Sequence, residues 1–223
     1  MHIILISPQT IDSTNRFQKG DTCVLLAYSL GASHFTGLKI DSFFEAYCRH
    51  FDLIFTNAEE TYNADFNSPR WQNYGNGQKL ILCLHENSLQ DEFVMTRKHF
   101  KVEYIESIKK QVTTIIERLK SGSLLSMTLN LSMKNGQGTF IPRGTHSILT
   151  GWNKSNEKFF IIETTENLYF EDLRSIVSFE ESLFFAKKHP EFNDIRPIID
   201  GNYSSGYNNI QFSGGDGLLL TYK

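Results

Sequence analysis

Apolar positions along the chain fall into short runs at its start and period-2 stretches toward its end, with a helical stripe between them. Ile3 to Ile6 is a continuous apolar run ended by Ser7-Pro8 and reads as a short buried strand. A polar loop from Gln9 to Gly20 follows. The run Cys23 to Leu30 predicts a helix, with Asp21 or Thr22 as its N-cap and Gly31 as its end. A second helix is predicted over Ile40 to His50, and Lys79 to His85 is strand-like. Asn57 to Gln78, rich in Asn, Gly and Tyr, fits neither period and reads as an excursion or the edge of a subdomain. Ile105, Ile108, Val112, Ile115, Ile116 and Leu119 recur at helical spacing, which predicts a helix over Val102 to Leu119 ended by Ser121-Gly122.

Beyond that point strands dominate. Leu124 to Leu131 reads as a strand and Asn135-Gly136 as a turn. The strands His146 to Trp152 and Phe159 to Glu163, joined by the polar segment Asn153 to Lys158, form a predicted hairpin. Leu173 to Lys187 carries Ser178 and Glu181 at capping-box spacing and predicts a helix, and Gly217 to Tyr222 predicts a closing strand. Helices first and a mostly antiparallel sheet later is an α+β order. The 223 residues are read as a single domain, with a helical half over roughly 1–120 and a sheet half over roughly 121–223.

Composition narrows the classes open to this chain. Apolar residues at 40% and charged residues at 21% are ordinary for a folded globular protein. A net charge of −3 with no basic stripe argues against a nucleic-acid partner. Three cysteines (Cys23, Cys48, Cys83) without a CxxC pair argue against a disulfide framework and a cysteine-rich zinc site, and reduced thiols suit the cytosol. No apolar run is long enough for a membrane span, and the opening residues lack the cationic segment of a signal peptide. The expected location is therefore cytoplasmic, or exported without a classical signal peptide. No cofactor or metal is expected: His85 beside Cys83 lacks a third ligand, and Gly214-Gly215-Asp216-Gly217 lacks the lysine and the following helix of a phosphate loop, so it reads as a turn.

Four residues carry candidate chemistry. Cys23 opens a helix, where unpaired N–H groups and the positive end of the macrodipole favour a thiolate over a thiol of pKa about 8.5. His146, at the predicted start of a strand, is placed to reach across a cleft as general base. Glu163, at the end of the partner strand, is the candidate to orient the imidazole; Thr164 takes that place if the register shifts by one residue. Gln18, five residues before Cys23, has a side-chain amide suited to an oxyanion hole shared with the Cys23 backbone N–H.

In this order the residues resemble the papain-like cysteine peptidase superfamily, and most closely the bacteriocin-processing peptidases that cut after a double-glycine leader. That group has Gln, a short gap, Cys opening a helix, and much later His at a strand start followed by Gly with an aromatic. The matching stretches are Gln18 to Gly31 and His146 to Thr164. Val24 stands where the group usually has Gly, and Glu163 where it has Asp or Asn. The resemblance implies a papain-like fold with the nucleophile helix packed on a mostly antiparallel sheet. It also implies a thiol-dependent hydrolase that cleaves a peptide, isopeptide or side-chain amide bond through a thioester, with a peptide or protein substrate. Acyl transfer to an amine acceptor, or a non-catalytic interaction module on the same scaffold, are the alternatives.

Overall fold

The computed structural model describes residues 17–18, 23–38, 40–58, 61–65, 69, 99–162, 191–200, 203–204 and 210–223. The predicted strands Ile3 to Ile6 and Lys79 to His85 and the predicted helix Leu173 to Lys187 lie outside the described residues.

Helix α1 (Cys23–Thr36) is buried almost throughout, from Val24 to Ala32 and again at Phe35. A helix apolar on all sides can form only inside the protein, with layers packed around it. The buried Ser29 hydroxyl is satisfied locally, since Ser29 Oγ donates to the Leu25 carbonyl at 2.7 Å. The helix does not stop at Gly31 as expected. The missing side chain there serves packing: a Cβ on Gly31 would lie 3.0 Å from Leu220 Cδ2 and 3.5 Å from Leu149 Cδ1. Termination falls instead at Gly37, whose φ of +72° suits glycine and whose N–H bonds the Ser33 carbonyl at 2.8 Å. Helix α2 (Ile40–His50) has the predicted bounds and turns Phe43, Phe44, Ala46 and Cys48 inward.

Strands β1 (Phe17–Gln18), β2 (Ile54–Ala58) and β3 (Thr61–Asp65) form a small sheet in the order β1-β3-β2, part of it in the unassigned stretch from Asn57. The main sheet contains β4 (Phe100–Ile105), β5 (Leu124–Lys134), β6 (Phe140–Asn153), β7 (Lys158–Ile162), β8 (Glu191–Phe192), β9 (Tyr203–Ser204) and β10 (Ile210–Tyr222). All its pairings are antiparallel, in the order β4-β10-β5-β6-β7-β8, with β9 also on β10. Helix α3 (Val112–Lys120) follows a short 3-10 turn at Lys109–Gln111, and α4 (Arg196–Ile199) precedes β9. Among the described residues no helix is long and apolar enough to cross a membrane.

Strand alternation divides the sheet into two faces. Leu124, Leu149, Phe160, Ile162, Leu218 and Leu220 pack with α1 and α2. Leu125, Met127, Leu129, Ile148, Ile161 and Leu219 pack with Ile115, Ile116 and Leu119 of α3 and with Ile195 and Ile199 around α4. The result is α+β, with helices packed against an antiparallel sheet.

Two expectations change here. The stripe from Val102 to Leu119 is helical only from Val112. Phe100 to Ile105 instead alternates and pairs with the end of β10, Phe100 against Tyr222 and Ile105 against Gly217. Val102 and Tyr104 pack on the α1 side while Lys101 and Glu103 are exposed, a period-2 pattern that the coincident spacing of Ile105 and Ile108 disguises. Gly214 to Gly217 is likewise no turn: it lies inside β10, at a point where the register against β5 shifts.

His34 gives α1 a pH dependence. Burial lowers its pKa from 6.5 to about 4, so the folded state holds it neutral while the unfolded chain protonates it near 6.5. Between these values the unfolded state binds more protons. Stability is therefore complete above pH 6.5 and falls as the pH drops toward 4, by at most about 1.4 kcal/mol per pH unit. Thermal unfolding from pH 7 to 4 should show this slope in the wild type and a shallower one in His34→Leu; equal slopes would remove His34 as the cause.

Candidate functional site

Cys23 is the first residue of α1, half-buried, and rests against the core beneath the helix. The first turn of α1 contains no acidic residue, so no carboxylate there offsets the positive end of the helix. Cys48 has the opposite setting. It is buried within α2, and burial pushes its thiol up to about 12, with Glu45 adding to the shift and Arg49 opposing it. Of these two thiols, only Cys23 is placed for chemistry. Gln18 sits in β1 with its backbone opposite Tyr62. Glu163, Thr164 and Cys83 lie outside the described residues.

His146 does not open its strand. β6 begins at Phe140, so His146 lies well inside a continuous ladder and is only 8% exposed. Its cross-strand partner is Leu129, and the next pairs along are Met127 with Ile148 and Leu125 with Thr150. Leu125, Met127, Leu129 and Ile148 all belong to the core under α3, whereas Leu149, one residue out of step, belongs to the core under α1. The β5–β6 register is unbroken from Leu131–Gly144 to Leu125–Thr150. Alternation therefore directs His146 to the α3 face and Ser147 to the α1 face. The structure thus does not bring His146 together with Cys23; the two lie on opposite faces of one sheet. The cause is alternation, because His146 stands an odd number of residues before Leu149 in one continuous strand; the early start of β6 at Phe140 adds that His146 lies in the interior of the sheet and not at its lip.

A different feature emerges on the α1 face. β4 covers the outer edge of β10 from Gly217 to Tyr222, and β9 covers it at Gln211–Phe212. Between them the edge has no strand partner among the described residues, and the chain leaving β4 is tied there by the Ile108 N–H donating to the Gly215 carbonyl at 2.9 Å. An open cavity of ≈ 480 Å³ lies at this point. The loop after β4 contributes Glu106, Ser107 and Lys109, and the β10 bulge contributes Gly214 to Asp216. Thr128 and Asn130 of β5 and Thr145 of β6 complete the wall. Register places Asn130 opposite Thr145, and Thr128 opposite Ser147.

Local bonds hold this wall in shape. Tyr104 donates its hydroxyl to Asp216 Oδ2 at 3.3 Å, and Lys109 Nζ donates to the Asp200 carbonyl at 3.1 Å. Gly215 must be small, since a Cβ would lie 3.0 Å from Asn130 Nδ2 and 3.3 Å from the Thr128 carbonyl. Thr128 is 8% exposed, and its Oγ1 is buried without a hydrogen-bond partner among the described residues. The signal for this site in the sequence is the Gly-Gly-Asp-Gly run, whose glycines mark a bulge and a close approach inside a strand. No three His, Cys, Asp or Glu side chains gather as a metal site among the described residues.

The class defined by fold and site is thus an α+β protein with a reachable cysteine at a helix start and a polar cavity on the same sheet face. No protein-family model matches the chain, and no curated protein or solved structure matches it significantly.

Proposed function

We propose that the protein is a thiol-dependent hydrolase of peptide, isopeptide or side-chain amide bonds, with Cys23 as its nucleophile and a papain-like arrangement of helix on sheet. The observation that carries this reading is the place of Cys23, half-buried at the start of a helix seated on an antiparallel sheet. Unpaired N–H groups at such an end stabilise a thiolate and can receive the oxyanion that forms when sulfur adds to a carbonyl. The tetrahedral adduct collapses to a thioester as the C–N bond breaks and the amine takes up the proton that the thiol lost, and water then adds to the thioester, releasing the acid and returning a proton to sulfur. An amine in place of water would make the same site an acyltransferase.

A second reading, a non-catalytic interaction module, is favoured by one specific observation: the β6 register, which keeps His146 from Cys23. Iodoacetamide alkylation across pH, mapped by peptide mass, separates the two. The hydrolase reading expects Cys23 to react with an inflection below the ordinary thiol range, while Cys48 stays unlabelled in the folded protein. A Cys23 profile matching a free thiol supports the module instead.

A further inference from the structure

We infer that the cavity at the β10 bulge is a binding site for a primary ammonium group, presented either by a free α-amino acid or by the amino terminus of a peptide. Glu106 and Asp216 set two carboxylates into its wall against one cation, Lys109. Lys109 already donates to the Asp200 carbonyl. The wall is therefore net negative and attracts a cation. An ammonium offers three N–H donors and no acceptor, so it needs several oxygens close together. The Asp216 carboxylate, the Asn130 side-chain carbonyl and the Thr145 hydroxyl are such oxygens, on residues of one face of the sheet, and a turn of the Thr128 side chain would add its hydroxyl. Tyr104 occupies Oδ2 of Asp216 and fixes the orientation of that carboxylate.

Thr128 is the independent sign of a ligand. A buried hydroxyl is normally hydrogen-bonded, and one that is not calls for a partner. A single χ1 rotation exchanges the methyl and hydroxyl of this wall residue, and turning the hydroxyl breaks no bond that it now makes. The volume of ≈ 480 Å³ lies within the usual range of small-molecule sites. A hard divalent cation fits less well, because it takes six to eight oxygens and would stand beside Lys109. The ammonium of an amino acid fits better: its carboxylate gives Lys109 an anionic partner beside the Asp200 carbonyl while its ammonium meets Asp216.

The inference does not depend on Cys23 and is read by binding alone. Amide chemical-shift changes at Gly215 and Asn130 of the full chain would be followed during titration with L-alanine, with trialanine, and with N-acetyl-trialanine. Saturable shifts with alanine alone support a free amino acid as the ligand; shifts with trialanine support a peptide terminus. N-acetylation is expected to weaken peptide binding at least tenfold, and Asp216→Asn to weaken binding of either probe at least tenfold. Thr128→Val, which removes a hydroxyl with no partner to lose, is expected to keep the wild-type unfolding temperature and to bind about threefold or more weakly. The inference is overturned if no probe saturates at millimolar concentration, if the acetylated peptide binds as well as the free one, or if a folded Thr128→Val variant binds as the wild type does.

Discussion

Replacing Gly217 by alanine should destabilise the protein by about 2–3 kcal/mol, with a fall in midpoint temperature of roughly 5–10 °C. A Cβ built at this position lies 2.6 Å from the Ser126 carbonyl oxygen, closer than real Cβ atoms come. That oxygen belongs to β5, whose backbone is held by β10 on one side and β6 on the other, so it cannot retreat without disturbing the centre of the sheet. Ile108 Cδ1 and Leu125 Cδ1, each at 3.2 Å, close the remaining space. Against this the substitution recovers well under half of the loss, because alanine loses less backbone entropy than glycine on folding, about 0.4–1 kcal/mol. Gly136→Ala is the matched control. It lies in the β5–β6 turn with nothing within 4 Å of a Cβ, and is expected to be neutral or slightly stabilising. Thermal unfolding of the pair measures the difference. Equal midpoints would mean that the bulge between Gly214 and Gly217 does not bring β10 and β5 as close as described.

The same bulge shows where sequence patterning loses its grip. Glycine clusters mark turns in most contexts, and the Gly214 to Gly217 run has that pattern; here glycine serves close backbone approach inside a strand, which depends on a neighbour far away in the chain. Gly31 repeats the lesson within α1, where its value lies in contact with Leu220 and Leu149 rather than in stopping a helix. By contrast, α2 and the β6–β7 hairpin were readable, because amphipathic spacing and a polar turn are local signals. Cys23 at a helix start was also readable for that reason. The face to which His146 points was not. It depends on the register of β6 against β5, and the strand's extent is hidden as well, since Phe140 to Thr145 contains Pro142 and Gly144, residues that disguise a strand. A one-residue difference in register decides whether position 146 or 147 faces α1. The cavity was invisible in the sequence for a related cause: its wall comes from β4's exit, β5, β6 and β10, which the sheet order alone brings together.

Cys23→Ala is expected to abolish turnover of an amide substrate, a loss of roughly 10³-fold or more, since without the thiol no thioester forms. His146→Ala separates the geometry from the resemblance. If His146 were the base, the two substitutions would act on one unit, and the double variant would be no worse than either single one. The register puts His146 on the far face, among Leu129 and Ile148. His146→Ala is therefore expected to leave turnover within about tenfold of the wild type and the Cys23 alkylation profile unshifted. Its cost should fall on stability, at roughly 1–3 kcal/mol for emptying a buried position. Steady-state rates, the alkylation profile and thermal unfolding of the same three variants supply the readouts. If His146→Ala instead loses turnover as completely as Cys23→Ala and raises the inflection of Cys23 alkylation while the protein stays folded, then β6 is shifted by one residue in the working enzyme and His146 is its base. If Cys23→Ala changes no rate at all, the thiol is a structural feature of the α1 terminus and the interaction module is the better description.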